Sequence, residues 1–129
     1  MNIKKPKINF KDRRGSIRDI FYKKNINHVA IIRSKAGVRR GDHYHKKTTQ
    51  YMYITKGSLE YWFKRFGSKQ KPKKILLKEG DLIKTPPFEM HALKIVKANE
   101  FFVFTMGKRG GRDYESDTFR FKPSLIQKC

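Results

Sequence analysis

The chain has 129 residues, of which 32 are Lys or Arg and 11 are Asp or Glu, for a formal net charge of +21. That length supports one domain with one core, 1–129, with peripheral ends expected at 1–7 and 122–129. No apolar run approaches the ~20 residues of a bilayer span, and the Lys-rich start lacks the apolar stretch of a secretory signal, so a cytoplasmic protein without a membrane partner is expected. The single cysteine, Cys129, has no partner within the chain, which excludes an internal disulfide.

Taken in order, the predicted elements are short strands separated by turn residues, with no sustained 3.6-residue apolar period. Ile26 to Ile32 reads as a strand leading into the turn Lys35-Ala36-Gly37. Gln50 to Thr55 alternates into Lys56-Gly57-Ser58, and Leu59 to Phe66 is expected to return as the second arm of a hairpin. Gly67-Ser68 and Pro72 make the run Lys69 to Lys74 a loop tip. Lys74 to Leu77 leads through Glu79-Gly80-Asp81 to a strand Leu82 to Thr85. Pro86-Pro87 must end or bend that strand, because proline has no N–H to give to a ladder. Phe101 to Thr105 is the most apolar segment and is expected to be a central strand. The fold class is therefore all-β, a single antiparallel barrel or sandwich of jelly-roll type.

Lys and Arg are spread along the whole chain instead of forming one arm or one face. The charge is better read as a solvated cationic surface that draws in anionic small molecules than as a nucleic-acid footprint. Lys46 and Lys47 fit such a steering rim.

The chemistry concentrates in two segments. In the first, Gly37 is followed after five residues by His43, then after one by His45, after four by Gln50 and after six by Gly57. In the second, five residues separate Gly80 from Pro86 and four separate Pro86 from His91. In an extended chain residues i and i+2 share a face, so His43 and His45 point the same way. Two such imidazoles serve either a transition metal or proton transfer near neutral pH. Gln50 offers a metal a neutral, weaker donor where a carboxylate would offset charge. Tyr51 and Tyr53 fall on the face opposite Gln50 and Met52 and read as packing or interface residues. Trp62 reads as core packing.

Together the two segments resemble the signature motifs of the cupin superfamily, with Gln50 where a metal-binding cupin usually has Glu and Phe88 in place of the Gly of the second motif. The stretch Ile8 to Ile17, then Arg40-Gly41-Asp42-His43-Tyr44-His45-Lys46-Lys47 and Gln50, resembles the sugar-nucleotide branch of those proteins. That branch includes 3,4-ketoisomerases and 3,5-epimerases acting on nucleotide-linked 4-keto-6-deoxy sugars. A fainter echo lies in Asp113-Tyr114-Glu115-Ser116-Asp117. Met90 stands where the ketoisomerases tend to have Trp, and the aspartate that partners the epimerase histidine has no clear counterpart.

The resemblance implies a cupin-type β-barrel, a role in polysaccharide biosynthesis, and an isomerase or epimerase that moves a proton beside a sugar ketone. It implies His43 as base and His45 as the group that returns or relays the proton. Arg40, Gln50 and His91 would bind the nucleotide-diphosphate sugar, and Arg33, on the strand before the turn, is expected from that position to face the same site. No cofactor is required in that reading, and a homodimer is expected. Two alternatives stand beside it: a metal-dependent oxygenase or lyase using His43, His45, Gln50 and His91 with a divalent transition metal, and a non-catalytic sugar- or anion-binding cupin.

Overall fold

The computed structural model describes residues 2–107 and 116–127. Among them are ten strands and no helix: β1 (Asn2–Lys4), β2 (Ile8–Asp12), β3 (Gly15–Arg18), β4 (His28–Ser34), β5 (Arg39–Tyr44), β6 (Thr49–Arg65), β7 (Lys73–Lys78), β8 (Leu82–Thr85), β9 (Glu89–Met106) and β10 (Phe119–Arg120). No helix among the described residues is long and apolar enough to cross a membrane.

The frame is a long antiparallel ribbon of β6 and β9, paired from Thr49↔Met106 to Arg65↔Glu89. Each strand of the ribbon has different neighbours along its length. β8 pairs with Gln50–Tyr53 and β7 with Ser58–Phe63 of β6, while β4 pairs with residues 99–105 and β5 with residues 91–94 of β9. Every pairing is antiparallel, and the ribbon's inner face closes on a core that includes Ile54, Leu59, Tyr61, Ile83, Ile95 and Phe101. The jelly-roll expectation is borne out.

The hairpin expected at Lys56-Gly57-Ser58 does not form. β6 runs straight through these residues, and register shifts between Ile54 and Leu59 absorb the extra length as a bulge. Gly57 has φ +75°, and an added Cβ would lie 2.7 Å from Asn99 Cβ and against the carbonyl of Ala98. The glycine thus serves close packing of two strands within a bulge, not a reversal. Gly57→Ala is expected to cost at least about 2 kcal/mol, combining a left-handed backbone with a steric clash, and urea denaturation checks it.

Both ends are used by the fold. β1 pairs with β8, and Leu125 and Ile126 are buried against Trp62 and Ala92 on the outside of the barrel. Trp62 therefore packs in a second apolar cluster, as expected, but on the outer face. The first predicted strand is shifted to His28–Ser34, and the loop before β7, the end of β8 at Thr85 and the strand over Phe101 to Thr105 stand where the sequence puts them. Cys129 and residues 113–115 of the faint second echo lie outside the described residues.

Candidate active site

β5 carries the site because of one local irregularity. Gly41 pairs with Ala92 and His43 with His91, so Asp42 is an extra residue in β5. Asp42 takes φ +57° and Gly41 φ +93°, and a Cβ on Gly41 would stand 2.9 Å from the His91 carbonyl oxygen. The bulge turns His43 inward, and alternation then brings His45 to the same side. Asp42 also anchors the far end of the chain: its Oδ1 accepts from the Leu125 amide at 3.0 Å and its carbonyl from Phe121 at 3.2 Å.

Three histidines meet there. Ring centroids are 5.0 Å apart for His43 and His45, 4.6 Å for His43 and His91, and 5.5 Å for His45 and His91. Their ligating nitrogens all lie within 4.8 Å of one another. His43, Gln50 and His91 line a cavity of about 410 Å³ in the barrel mouth, with Arg39, Arg40 and Arg120 around it and Ile32, Met52, Phe101 and Val103 as apolar wall. His45 is not on that wall; it is only 1% exposed.

Hydrogen bonds fix two tautomers. His45 Nδ1 lies 2.8 Å from the Asp117 carbonyl oxygen and His91 Nδ1 lies 3.0 Å from that of Glu89. A carbonyl only accepts, so each Nδ1 carries a proton, and in the neutral ring it is Nε2 that holds the lone pair. That arrangement suits a proton acceptor. It also suits a metal ligand, whose second nitrogen commonly donates to a carbonyl. His43, His45 and His91 thus fit a divalent transition ion as donors, although none of the three, nor Gln50, brings a negative charge to offset it.

The structure separates the expected arginines. Arg40 lines the cavity, its Nε donating to Ser34 Oγ at 2.7 Å. Arg33 does not: alternation along β4 puts Ile32 inward and Arg33 outward, where its Nε donates to Glu100 Oε2 at 2.9 Å. That ion pair, with a further bond from Thr55, holds the Glu100 carboxyl below its ordinary range. Tyr51 and Tyr53 are on the wall opposite Gln50 and Met52, and Phe21 packs edge-on against Tyr51.

Several site residues escape a sequence reading. Arg39 and Arg120 stand on the cavity wall, Arg120 because β10 pairs it directly with His43. Asp117 holds the turn after β5: its carboxylate accepts the amides of Lys46, Lys47 and Thr48 and the Thr48 hydroxyl at 2.8 to 3.0 Å. Burial would raise the pKa of Asp117, but these four donors outweigh it and hold the carboxyl below the ordinary value. The faint echo at Asp117 was the one available signal.

Beneath His91 lies a buried polar stack. The Tyr61 ring is parallel to His91, at 7° and 6.1 Å between centroids, and its hydroxyl donates to Glu89 Oε2 at 2.8 Å beside Thr85 Oγ1 at 2.7 Å. Burial pushes the Glu89 carboxyl up despite the Tyr61 bond, and burial together with the Glu89 charge pushes Tyr61 well above 10. A raised acid favours the folded state in its neutral form, so this contribution is full below the unfolded value near ~4.3 and lost as pH rises through the folded value. Glu89→Gln should accordingly flatten the pH dependence of stability and gain on the wild type as pH rises from 4 to 8. Urea midpoints at each pH test this.

These features define a cupin jelly roll with a histidine cluster in its mouth and arginines at the rim. The family model for the polysaccharide biosynthesis C-terminal domain matches residues 10–119, and the chain belongs to that family. No curated protein sequence matches it. Among solved structures, the dTDP-4-dehydrorhamnose 3,5-epimerase of Sulfolobus tokodaii superposes with a TM-score of 0.79 at 22% identity, covering 98% of this chain and 79% of that one. A histidine-to-asparagine mutant of the 3,4-ketoisomerase of Thermoanaerobacterium thermosaccharolyticum, in complex with TDP-4-keto-6-deoxyglucose, gives 0.75 at 20% identity, over 93% of this chain and 86% of that one. A 3,4-ketoisomerase from Helicobacter canadensis gives 0.77 at 19% identity, with coverage of 93% and 90%.

Proposed function

We propose that this protein is a cytoplasmic sugar-nucleotide isomerase or epimerase that moves a proton on the carbon beside the ketone of a nucleotide-linked keto-deoxy sugar. The observation that carries the reading is the meeting of His43, His45 and His91, with His43 and His91 on the wall of a cavity rimmed by Arg39, Arg40 and Arg120 and His45 buried behind it. Neighbours of the same fold act on dTDP-linked sugars, one of them seen with TDP-4-keto-6-deoxyglucose.

The arginines offer a diphosphate planar, permanently charged forks. His43, on the cavity wall, takes the proton. The electron pair of the broken C–H bond forms a C=C bond, and the carbonyl π pair moves to oxygen as an enolate. Gln50 and the rim cations stabilise that charge. The proton then returns, through His43 or by way of His45. Return to the former carbonyl carbon gives isomerisation: the neighbouring hydroxyl gives up its proton to the enolate oxygen, its own oxygen becomes the new ketone, and the C=C pair takes the returning proton. Return to the opposite face of the same carbon gives epimerisation. His91, held by the Glu89 carbonyl and the Tyr61 ring, faces the same cavity and orients the substrate.

The clustered imidazoles favour a second reading, a metal-dependent oxygenase or lyase. There His43, His45 and His91, with Gln50, would hold a divalent transition ion. Such an ion supplies Lewis-acid stabilisation of an oxyanion when bound. A homodimer joined through sheet edges belongs to the leading reading, since β4 pairs on one side only among the described residues and exposes Val29 and Ile31.

Incubation with a panel of nucleotide-linked 4-keto-6-deoxy sugars, followed by NMR of the products, tests the function. A shifted ketone or an inverted carbon supports it. Unchanged sugars across the panel, from protein that binds TDP, would leave a non-catalytic sugar-binding module.

A further inference from the structure

The face of β6 turned away from the histidines carries a second cavity that the proposed chemistry does not use. Tyr51 stands between Gln50 and Met52, so alternation points it outward while those two line the catalytic cavity. β8 pairs Lys84 with Tyr51 and Leu82 with Tyr53, and β1 pairs Lys4 with Leu82. Paired residues share a face, so Lys4, Leu82, Lys84 and Tyr51 stand on one outer surface. The segment between β3 and β4 folds over it: Phe21 packs edge-on against Tyr51 and Phe104, with ring centroids 4.9 and 4.8 Å away. A cavity of about 240 Å³ is left between them.

Its lining has a definite chemistry. Three aromatic rings, Phe21, Tyr22 and Tyr51, and three ammonium groups, Lys4, Lys24 and Lys84, face it, and no carboxylate does. None of these lysines forms an ion pair among the described residues. Tyr22 is 75% exposed, with the Lys23 ammonium 5.4 Å from its ring centroid. A ring left that bare forgoes the burial that would stabilise it. Lys23 itself holds φ +55°, a left-handed conformation that costs a residue with a side chain about 1–2 kcal/mol. Such outliers cluster in segments that clamp ligands.

We infer that this cavity is a second ligand site, separate from the catalytic one, for a nucleoside monophosphate. Exposed rings take a base by stacking, which every base permits, and the lysine ammonium groups take its phosphate. The cavity is smaller than the ~300 Å³ at which drug-sized sites begin, so it suits one base with its phosphate at the lysine edge and not a longer strand. The inference stands independently of the sugar-nucleotide reading. Because the two cavities lie on opposite faces of β6, each has its own methyl reporters: Ile20 and Leu82 in this one, Met52 in the catalytic one.

The test follows methyl signals of isotope-labelled Ile, Leu and Met by NMR as AMP is added to the wild type, Tyr22→Ala and the double variant Lys24→Glu/Lys84→Glu. In the wild type the Ile20 and Leu82 signals should shift saturably. Tyr22→Ala should weaken this binding about fivefold or more, the loss of one base–aromatic stack. The double variant should weaken it about tenfold or more at low salt and by less at high salt. None of the substituted side chains is buried, so the fold should be kept. A comparison on wild type alone needs no variant: adenosine, which lacks the phosphate, should bind about tenfold more weakly than AMP. Ile20 and Leu82 signals that stay fixed up to millimolar AMP, or that titrate equally in all three proteins, overturn the site, and so does equal binding of adenosine and AMP. Shifts of the same signals with protein concentration in the absence of AMP would assign this surface to a second copy of the chain and overturn the inference as well. Met52 reports TDP in the catalytic cavity, so the sugar-nucleotide reading stands or falls on a separate signal.

Discussion

His43→Asn is expected to keep the fold and nucleotide binding while cutting exchange of the sugar's acidic hydrogen with solvent deuterium by roughly 10²-fold or more. The size follows from its place. Of the two neighbouring histidines His43 and His45, His43 is the one on the cavity wall, directed there by the Gly41-Asp42 bulge. Asparagine keeps the bulk and a polar head but has no basic nitrogen. His45→Asn should also lower turnover, yet leave much of the first exchange intact, because the buried His45 is suited to relay and not to first contact. Deuterium incorporation followed by NMR separates the two steps. Full activity in both variants would remove the histidines from the chemistry.

Asp117→Ala should cost about 3–4 kcal/mol and lower the melting temperature by roughly 10–15 °C. Its carboxylate accepts three backbone amides and a hydroxyl, all in the turn that follows His45, and its carbonyl fixes the His45 tautomer. Removing the carboxylate leaves several buried donors without their acceptor, each worth about 1–3 kcal/mol, offset where water reaches the turn. The pH dependence has a definite sign. A carboxyl whose folded pKa is depressed stabilises above its unfolded value of about 3.9 and loses that contribution as pH falls through the folded value. The gap between wild type and Asp117→Ala should therefore narrow below about pH 4. Turnover should fall as well, since the turn positions His45.

Much of the fold was legible in the chain because strands announce themselves through period-two alternation and turn residues. Pro86-Pro87 and the apolar stretch Phe101 to Thr105 each marked a boundary or a strand correctly, and the loop expected over Lys69 to Lys74 holds as far as Pro72, Lys73 and Lys74 already belonging to β7. Gly57 misled. A glycine with positive φ serves a turn and a bulge equally well, and only the pairing of Leu59 with Ile95 shows that the strand goes on. The histidines were legible because they sit in two short motifs, whereas the arginine rim was not. Arg120 reaches the cavity through a pairing between β10 and β5 that joins distant parts of the chain. Arg33 was counted into the site on proximity in sequence, and strand alternation turns it outward to Glu100.

The central claim is that imidazoles alone move the proton, and deuterium incorporation by chelator-treated wild type measures this most directly. Purified protein is stripped of metal, assayed for residual ions, and mixed in deuterated buffer with TDP-4-keto-6-deoxyglucose, the ligand seen with one neighbour of this fold. Because His43, His45, His91 and Gln50 bring no negative charge to stabilise a bound divalent ion, exchange next to the ketone is expected to continue at the untreated rate. Loss of exchange on chelation, with recovery on adding back one divalent transition metal, would contradict the account and make the histidine cluster a metal site.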